Sequence, residues 1–198
     1  MSEGFLLPER PLASLDDWRM LGGGEALSLA LDLGPSRTIG EITASGLRGR
    51  GGGGFVTGRK WAGVLAQGGT HRYAVCNAAE GEPATFKDRA LLRANPYQLV
   101  EGLAVAALTI GASEAYVGIK ARFEREIDAL SRAVDEMEAA GLTGDVPITI
   151  VPGPDEYLFG EEKALLEVIE GHAPLPRLFP PFEHGLFATA PQSGWESH

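Results

Sequence analysis

The chain has 198 residues, with 17 Lys+Arg against 27 Asp+Glu and a formal net charge of −10. That acidic balance speaks against general nucleic-acid or anionic-membrane binding. A single cysteine, Cys76, excludes an intrachain disulfide, an all-cysteine zinc site and a four-cysteine iron–sulfur cluster built from these residues.

The N-terminal stretch Met1–Pro35 is punctuated by Pro and by Gly22-Gly23-Gly24. It reads as a loosely structured extension with one short strand or helix near Ala26–Leu33. Ser36 is a candidate N-cap for a short helix carrying Ile39 and Ile42 on one face. That helix must stop before the glycine run between Gly49 and Gly58.

Beyond that run the pattern becomes regular. Tyr73–Cys76 predicts a short buried strand. Asn95-Pro96 opens a helix that runs through Leu99, Leu103 and Ile110 to Gly111. Its apolar stretch, Leu99–Ala112, carries Glu101 and is too short to span a bilayer. Ala115–Ile119 predicts a second strand. Phe123, Ile127, Leu130, Val134 and Met137 recur at helical spacing, and Gly141 closes that helix. Val146–Val151 predicts a third strand, and Glu161–Glu170 a third helix with Gly171 beyond its end.

Strands that alternate with long helical connections predict an α/β fold: a parallel sheet with helices on both faces, Rossmann-like and preceded by a Gly-rich loop. Ligands in such folds sit at the carboxyl ends of the strands. Here those ends are Asn77–Asp88, Lys120–Arg122 and Pro152–Gly160. The N-terminus has no basic region or long apolar run of a signal peptide, so the expected setting is cytoplasmic or peripheral on the cytoplasmic side.

Three stretches carry candidate chemistry. The first runs from Ser45 to Trp61. Four of the 17 basic residues, Arg48, Arg50, Arg59 and Lys60, fall in it among glycines. Glycines let backbone N–H groups approach an anion, and Phe55 and Trp61 offer flat faces for a ring. Gly49, Gly51 and Gly54 match G-x-G-x-x-G by letter, but a helix-like segment precedes them where a dinucleotide fold requires a strand. A phosphate-binding P-loop fails as well, because Arg59 stands where Lys is needed. The plain alternative is a flexible surface loop.

The second stretch is Asn77–Arg89. Asn77 offers an amide for a polyol or ring edge. Glu80 and Glu82 offer acceptors for a ribose or carboxamide, or else cap the next helix. In the third, Pro154–Lys163, Tyr157 beside Gly160 suits a planar ring close to the backbone, while Glu161 and Glu162 also suit a first helical turn. Cys76 reads as a small buried strand residue. His71, His172, His184 and His198 show no metal-ligand spacing.

Six blocks in one order carry a resemblance. They are Ser-Gly-Leu-Arg-Gly-Arg-Gly-Gly at 45–52, Tyr-Ala-Val-Cys-Asn at 73–77 and Glu-Gly-Glu-Pro at 80–83. Thr-Phe-Lys-Asp-Arg at 85–89, Tyr-Leu-Phe-Gly-Glu-Glu at 157–162 and Pro-Arg-Leu-Phe-Pro-Pro-Phe at 176–182 complete the set. Together they resemble the NADH-binding flavoprotein subunit of respiratory complex I and the related diaphorase subunits of NAD-linked hydrogenases and formate dehydrogenases. The resemblance implies that Gly49, Gly51, Gly52 and Lys60 hold the phosphate side of FMN and that Asn77 bonds the flavin. It implies that Tyr157, Gly160, Glu161 and Glu162 line the flavin pocket. Glu82 would meet the nicotinamide end of NADH, as the catalytic-side residue, and Phe55 and Phe182 would stack near its adenine.

The resemblance also implies an activity: hydride transfer from NADH to FMN, with electrons passed to iron–sulfur subunits of a larger complex. The family's [4Fe–4S] cluster has no ligands on this chain. Departures from the family pattern include Ala79 for Asp, Lys163 for Thr and Phe179 for Lys. The expected organisation is an extension over 1–35, an FMN/NADH domain over 36–187 and a truncated tail over 188–198, without the family's ubiquitin-like and cluster domains. Two other readings remain open. One is a non-catalytic nucleotide-binding or assembly module, and the other an RNA-binding Gly/Arg segment resting on Arg48-Gly-Arg-Gly alone.

Overall fold

The computed structural model describes residues 6–50, 53–67, 71–178 and 185–187. In chain order these hold α1 (Leu15–Met20), α2 (Glu25–Leu33), α3 (Pro35–Ala44), α4 (Thr57–Ala66), β1 (Tyr73–Ala78), α5 (Lys87–Ala94) and α6 (Pro96–Ile110). β2 (Glu114–Lys120), α7 (Glu124–Ala139), β3 (Ile148–Gly153), a 3₁₀ turn (Tyr157–Gly160) and α8 (Glu162–Ile169) follow. The strands form one parallel sheet in the order β1-β2-β3, with Val75 opposite Tyr116 and Val117 opposite Ile150.

Parallel neighbours need crossover connections, which α5 and α6 supply between β1 and β2, and α7 between β2 and β3. Alternation along β2 then divides the side chains between two faces. Ala115, Val117 and Ile119 enter the main core with Tyr97, Val100 and Leu103 of α6 and Leu130, Val134 and Met137 of α7. Tyr116 packs instead with Leu166 of α8. Gly118 lies on that same face, and a Cβ there would overlap Leu165. The absence of a side chain at 118 therefore lets α8 lie directly on the central strand. Helices cover both faces of the sheet, as the sequence predicts.

The α6 helix is apolar nearly all round because it is enclosed nearly all round. Its ends follow the sequence signals. The Asn95 side chain accepts from Gln98 N, Pro96 occupies the first turn, and Gly111 closes the helix at φ +67.

The N-terminal stretch holds the element expected near Ala26–Leu33, as α2, and otherwise departs from expectation. Instead of a loose extension it supplies two helices packed onto the domain. Leu12, Leu15 and Trp18 join the main core, and Trp18 stacks on Tyr97 with ring centroids 6.1 Å apart. Leu27 and Ala30 pack on Ala104 and Val105 of α6. Carboxylates from the later helices satisfy the free N–H groups at both helix starts. Glu136 accepts from Leu15 N at 2.7 Å, and the buried Glu101 accepts from Leu27 N at 3.0 Å. These partners lie more than seventy residues away in sequence, so no local pattern announces them.

Two smaller corrections concern caps and missed helices. The cap of α3 is Gly34 rather than Ser36, because Pro35 has the fixed φ that suits the first helical position. α4 begins inside the Ser45–Trp61 stretch read as a Gly-rich loop, and α5 begins inside the polar stretch Asn77–Arg89.

Trp18→Ala is expected to lower stability by about 3–5 kcal/mol, the usual cost of emptying a buried aromatic site. A urea melt measures it. An unchanged midpoint would show that α1 is not part of the cooperative core.

Candidate functional site

The three strand exits meet at one edge of the sheet. At the end of β1 the exposed Asn77 turns its side chain across to the far loop. Its Nδ2 donates to the Gly160 carbonyl at 2.8 Å, and its Oδ1 accepts from Ala79 N at 3.2 Å. Gly160 is pressed so close to this strand exit that a Cβ would lie 3.0 Å from the Ala79 carbonyl oxygen. One step behind, a Cβ on Gly153 would overlap the buried ring of Phe159. The 3₁₀ turn is thus seated on backbone through its last two residues.

A second tie runs behind the loops. The Phe123 ring lies between the guanidinium groups of Arg89 and Arg122, at 5.1 Å and 5.3 Å. Arg89 pairs with Glu80 of the β1 exit at 3.1 Å, and Arg122 pairs with Asp155 of the β3 exit at 2.9 Å. Arg89, Phe123 and Arg122 therefore connect the exits of all three strands.

Glu80 settles between the two roles that the sequence left open for it. Its buried carboxylate accepts from Asp88 N and Arg89 Nε, so it caps α5. Burial alone would raise its pKa. The hydrogen bonds from Asp88, Arg89 and Thr85 outweigh burial and hold it below the usual carboxylate range. Glu82, two residues on, is exposed, and its side chain makes no hydrogen bond among the described residues. Burial, then the charge of Asp88, pushes the Cys76 thiol up to about 12, so it is no thiolate nucleophile.

The Gly-rich segment is a closed loop. Arg48 and Val56 form an antiparallel bridge, Gly49 N donates to the Phe55 carbonyl at 2.9 Å, and Thr57 N donates to the Leu47 carbonyl. Lys60 and Trp61 lie on α4, whose start has no side-chain cap. A Cβ at Gly58 would overlap Thr43 of α3, which fixes how α4 leaves the loop.

Among the described residues an ion pair joins α4, at the end of this loop, to the start of α8. Lys60 Nζ lies 3.0 Å from Glu162 Oε1, and both side chains are well exposed. Glu161 accepts from Lys163 N and Ala164 N and so caps α8. Phe55, Phe86 and Tyr157 present exposed rings, each more than 60% accessible. Of the residues singled out from the sequence, Gly49, Phe55 and Lys60 belong to the loop and α4. Asn77 and Glu82 belong to the β1 exit, and Tyr157, Gly160, Glu161 and Glu162 to the β3 exit. Gly51, Gly52 and Phe182 lie outside the described residues.

The sequence places Lys120–Arg122 at a strand exit but assigns these residues no role, and Phe123 only a helix position, because their partners come from other loops. Beyond α8, Arg177 pairs with Glu167 and Glu170 at 2.6 Å each. His172 also meets Glu167 there, and Arg177 already compensates both carboxylates.

A parallel α/β domain with polar loops at the carboxyl edge of its sheet is of the class whose ligands sit at that edge. The comparisons narrow this class. The chain belongs to the Nuo51 FMN-binding domain family, whose model matches residues 42–192.

It is 40% identical over 177 residues to an NADH-quinone oxidoreductase subunit of Aquifex aeolicus, covering 85% of this chain and 41% of that protein. It is 42% identical over 179 residues to the corresponding NADH-quinone oxidoreductase subunit of Rhizobium meliloti, covering 85% of this chain and 42% of that one. The chain thus spans about two fifths of the length of these relatives. The fold also matches a chain of an NAD+-reducing [NiFe]-hydrogenase in its H2-reduced state, with a TM-score of 0.75 and 35% identity over 86% of this chain and 30% of that chain. No helix among the described residues is long and apolar enough to cross a membrane.

Glu80 supplies a pH test. Its pKa is depressed in the folded state, so its contribution to stability is present above the unfolded-state pKa. That contribution is lost as the pH falls through the folded value. Glu80→Gln is expected to lower stability at neutral pH and to flatten the decline between about pH 5 and pH 3. Urea midpoints across that range measure it, and parallel pH profiles for the two proteins would contradict it.

Proposed function

We propose that this chain is the FMN- and NADH-binding part of an NADH-oxidising oxidoreductase. A hydride passes from NADH to FMN, and electrons leave to an iron–sulfur cluster outside this chain. The observation that carries the reading is the Lys60–Glu162 contact, which brings the basic glycine loop and the polar strand exits to a single edge. Membership of an FMN-binding family supports it, as do relatives named as subunits of NADH-quinone oxidoreductase.

The residues present suit such a cofactor. The start of α4 has no side-chain cap: Thr57 N and Arg59 N donate to the Leu47 and Val56 carbonyls, Gly58 N has no acceptor among the described residues, and the cations Arg59 and Lys60 stand beside it, a setting for a phosphate. We assign Gly49, Gly51 and Gly52 to the phosphate side of that group, since glycine permits close backbone approach. Gly160 is seated closely on the Ala79 backbone with no side chain to keep a planar ring away, and the exposed Tyr157 lies three residues before it in the same turn. Asn77 is held rigid by its two hydrogen bonds and keeps one amide N–H free for a flavin edge. Glu162 and Glu161 mark the start of α8 on the same side.

When bound, FMN supplies a two-electron acceptor that releases electrons singly. The protein's task is alignment, since hydride transfer depends on stacking and distance rather than on an acid–base pair. Glu82, exposed and without a side-chain hydrogen bond among the described residues, is available to orient the nicotinamide end of NADH. Phe55 offers a face for the adenine, and Phe182 is assigned the same part. We assign the FMN- and NADH-binding unit to residues 36–187, with iron–sulfur subunits of a larger complex as partners on the cytoplasmic side.

The experiment is an FMN reconstitution followed by anaerobic NADH. The visible spectrum is expected to show retained flavin that bleaches on addition of NADH. Lys60→Ala is expected to weaken FMN binding roughly tenfold or more, the loss of one charge-assisted contact. Flavin retained without bleaching would favour a non-catalytic nucleotide-binding module. Failure to retain flavin would contradict the reading for this chain.

A further inference from the structure

Lys120 ends the central strand and is only 2% exposed. By alternation it shares the α8 face of the sheet with Tyr116 and Gly118. Its Nζ donates to the Asp155 carbonyl at 2.8 Å. It also lies directly under Gly81, where a Cβ would come within 3.5 Å of it. The ammonium thus sits beneath the junction of the β1 and β3 exits, behind the backbone that carries Asn77, Glu82, Tyr157 and Gly160.

What it lacks is a counter-charge. Among the described residues no carboxylate lies within 4.0 Å of Nζ. The two acids on the adjoining loops are committed elsewhere, Glu80 to Arg89 and Asp155 to Arg122. An ammonium has three donors, and the one hydrogen bond here is to a neutral carbonyl. Buried charges in folded proteins are ordinarily paired, because an isolated ion out of water is strongly unfavourable.

The half-buried Arg72 also meets no carboxylate among the described residues, but its guanidinium donates to the Leu65 and Gln67 carbonyls; the other charged clusters are compensated from within. Arg89, Arg93 and Arg122 near the start of α7 each hold a carboxylate, and Glu167, Glu170 and His172 surround Arg177. Lys120 is the buried cation for which the described residues show no acid.

We propose that Lys120 is the fixed positive charge of the flavin site, and that its counter-charge is the negative charge gained by the cofactor on reduction. Uptake of two electrons and one proton leaves the flavin ring one unit more negative than before. A cation fixed in a water-excluded position behind the ring's floor favours that form and raises the midpoint potential. Lys120 is a positioning and electrostatic residue rather than a catalytic one, because loop backbone stands between it and the exposed face. This inference rests on the reading that the site binds FMN.

The test is the midpoint potential of bound FMN in the wild-type chain, Lys120→Met, Lys120→Gln and Lys120→Arg. Met keeps the apolar stem, Gln keeps a donor for the Asp155 carbonyl, and Arg keeps the charge. Met and Gln are expected to cut the reduced-to-oxidised ratio at fixed potential at least tenfold, about 30 mV for a two-electron couple. Arg is expected to stay near wild type. Equal potentials in all four proteins would overturn the assignment of Lys120 while leaving FMN binding intact. The same holds if Met and Gln change only thermal stability or FMN affinity. A wild-type chain that takes up no FMN would overturn the underlying reading, and this inference with it.

Discussion

The close approach of the β1 exit to the 3₁₀ turn after β3 is the constraint on which the rest depends. Gly160 touches the Ala79 backbone because neither position carries a large side chain, and Asn77 locks the contact with one hydrogen bond to each loop. Neither loop belongs to the sheet ladder, so this seam must be held from outside it. Phe159, fully buried beneath the turn, and the Arg89–Phe123–Arg122 stack behind it do so. The result is an exposed edge whose backbone is rigid and whose side chains point outward. A binding surface requires that combination.

The rigidity has a source deeper in the chain. Gly118 lets α8 rest on the central strand, and Glu161 starts α8 in the right place by capping it. Glu162, next to that cap, then meets Lys60 of α4. Helix position, cap and ion pair form one sequence of causes leading from the middle of the sheet to the glycine loop. An exposed ion pair adds little stability by itself. Its importance here is geometric, since it marks where the two halves of the edge meet.

Much of this was legible in the sequence. The three strands and the α6 and α7 helices follow from apolar periodicity and from Asn-Pro and Gly punctuation, which are local signals. The carboxyl-edge placement follows from the alternation of strands and helices, and the family resemblance rests on six short blocks. What was not legible depends on distant partners. Trp18 packs into the core against Tyr97, and α2 begins where Glu101 reaches its first turn; α1, by contrast, starts at the local Ser14–Asp17 capping box, which Glu136 only supplements. Glu80 looks like a ligand-binding acid until Arg89 is seen beside it. Lys120 gives no sign of burial in a strand ending Gly-Ile-Lys, because its environment is assembled from two other loops.

Hydrogen exchange of the chain with and without FMN tests the central claim most directly, namely that one ligand edge is formed by the seam between the β1 and β3 exits. The account predicts added protection on FMN binding at amides 77–82 and 157–164 and around the start of α4. It predicts little change in α1 or in the carboxyl half of α7. Protection confined to other surfaces, or none at the seam while flavin is bound, would contradict it.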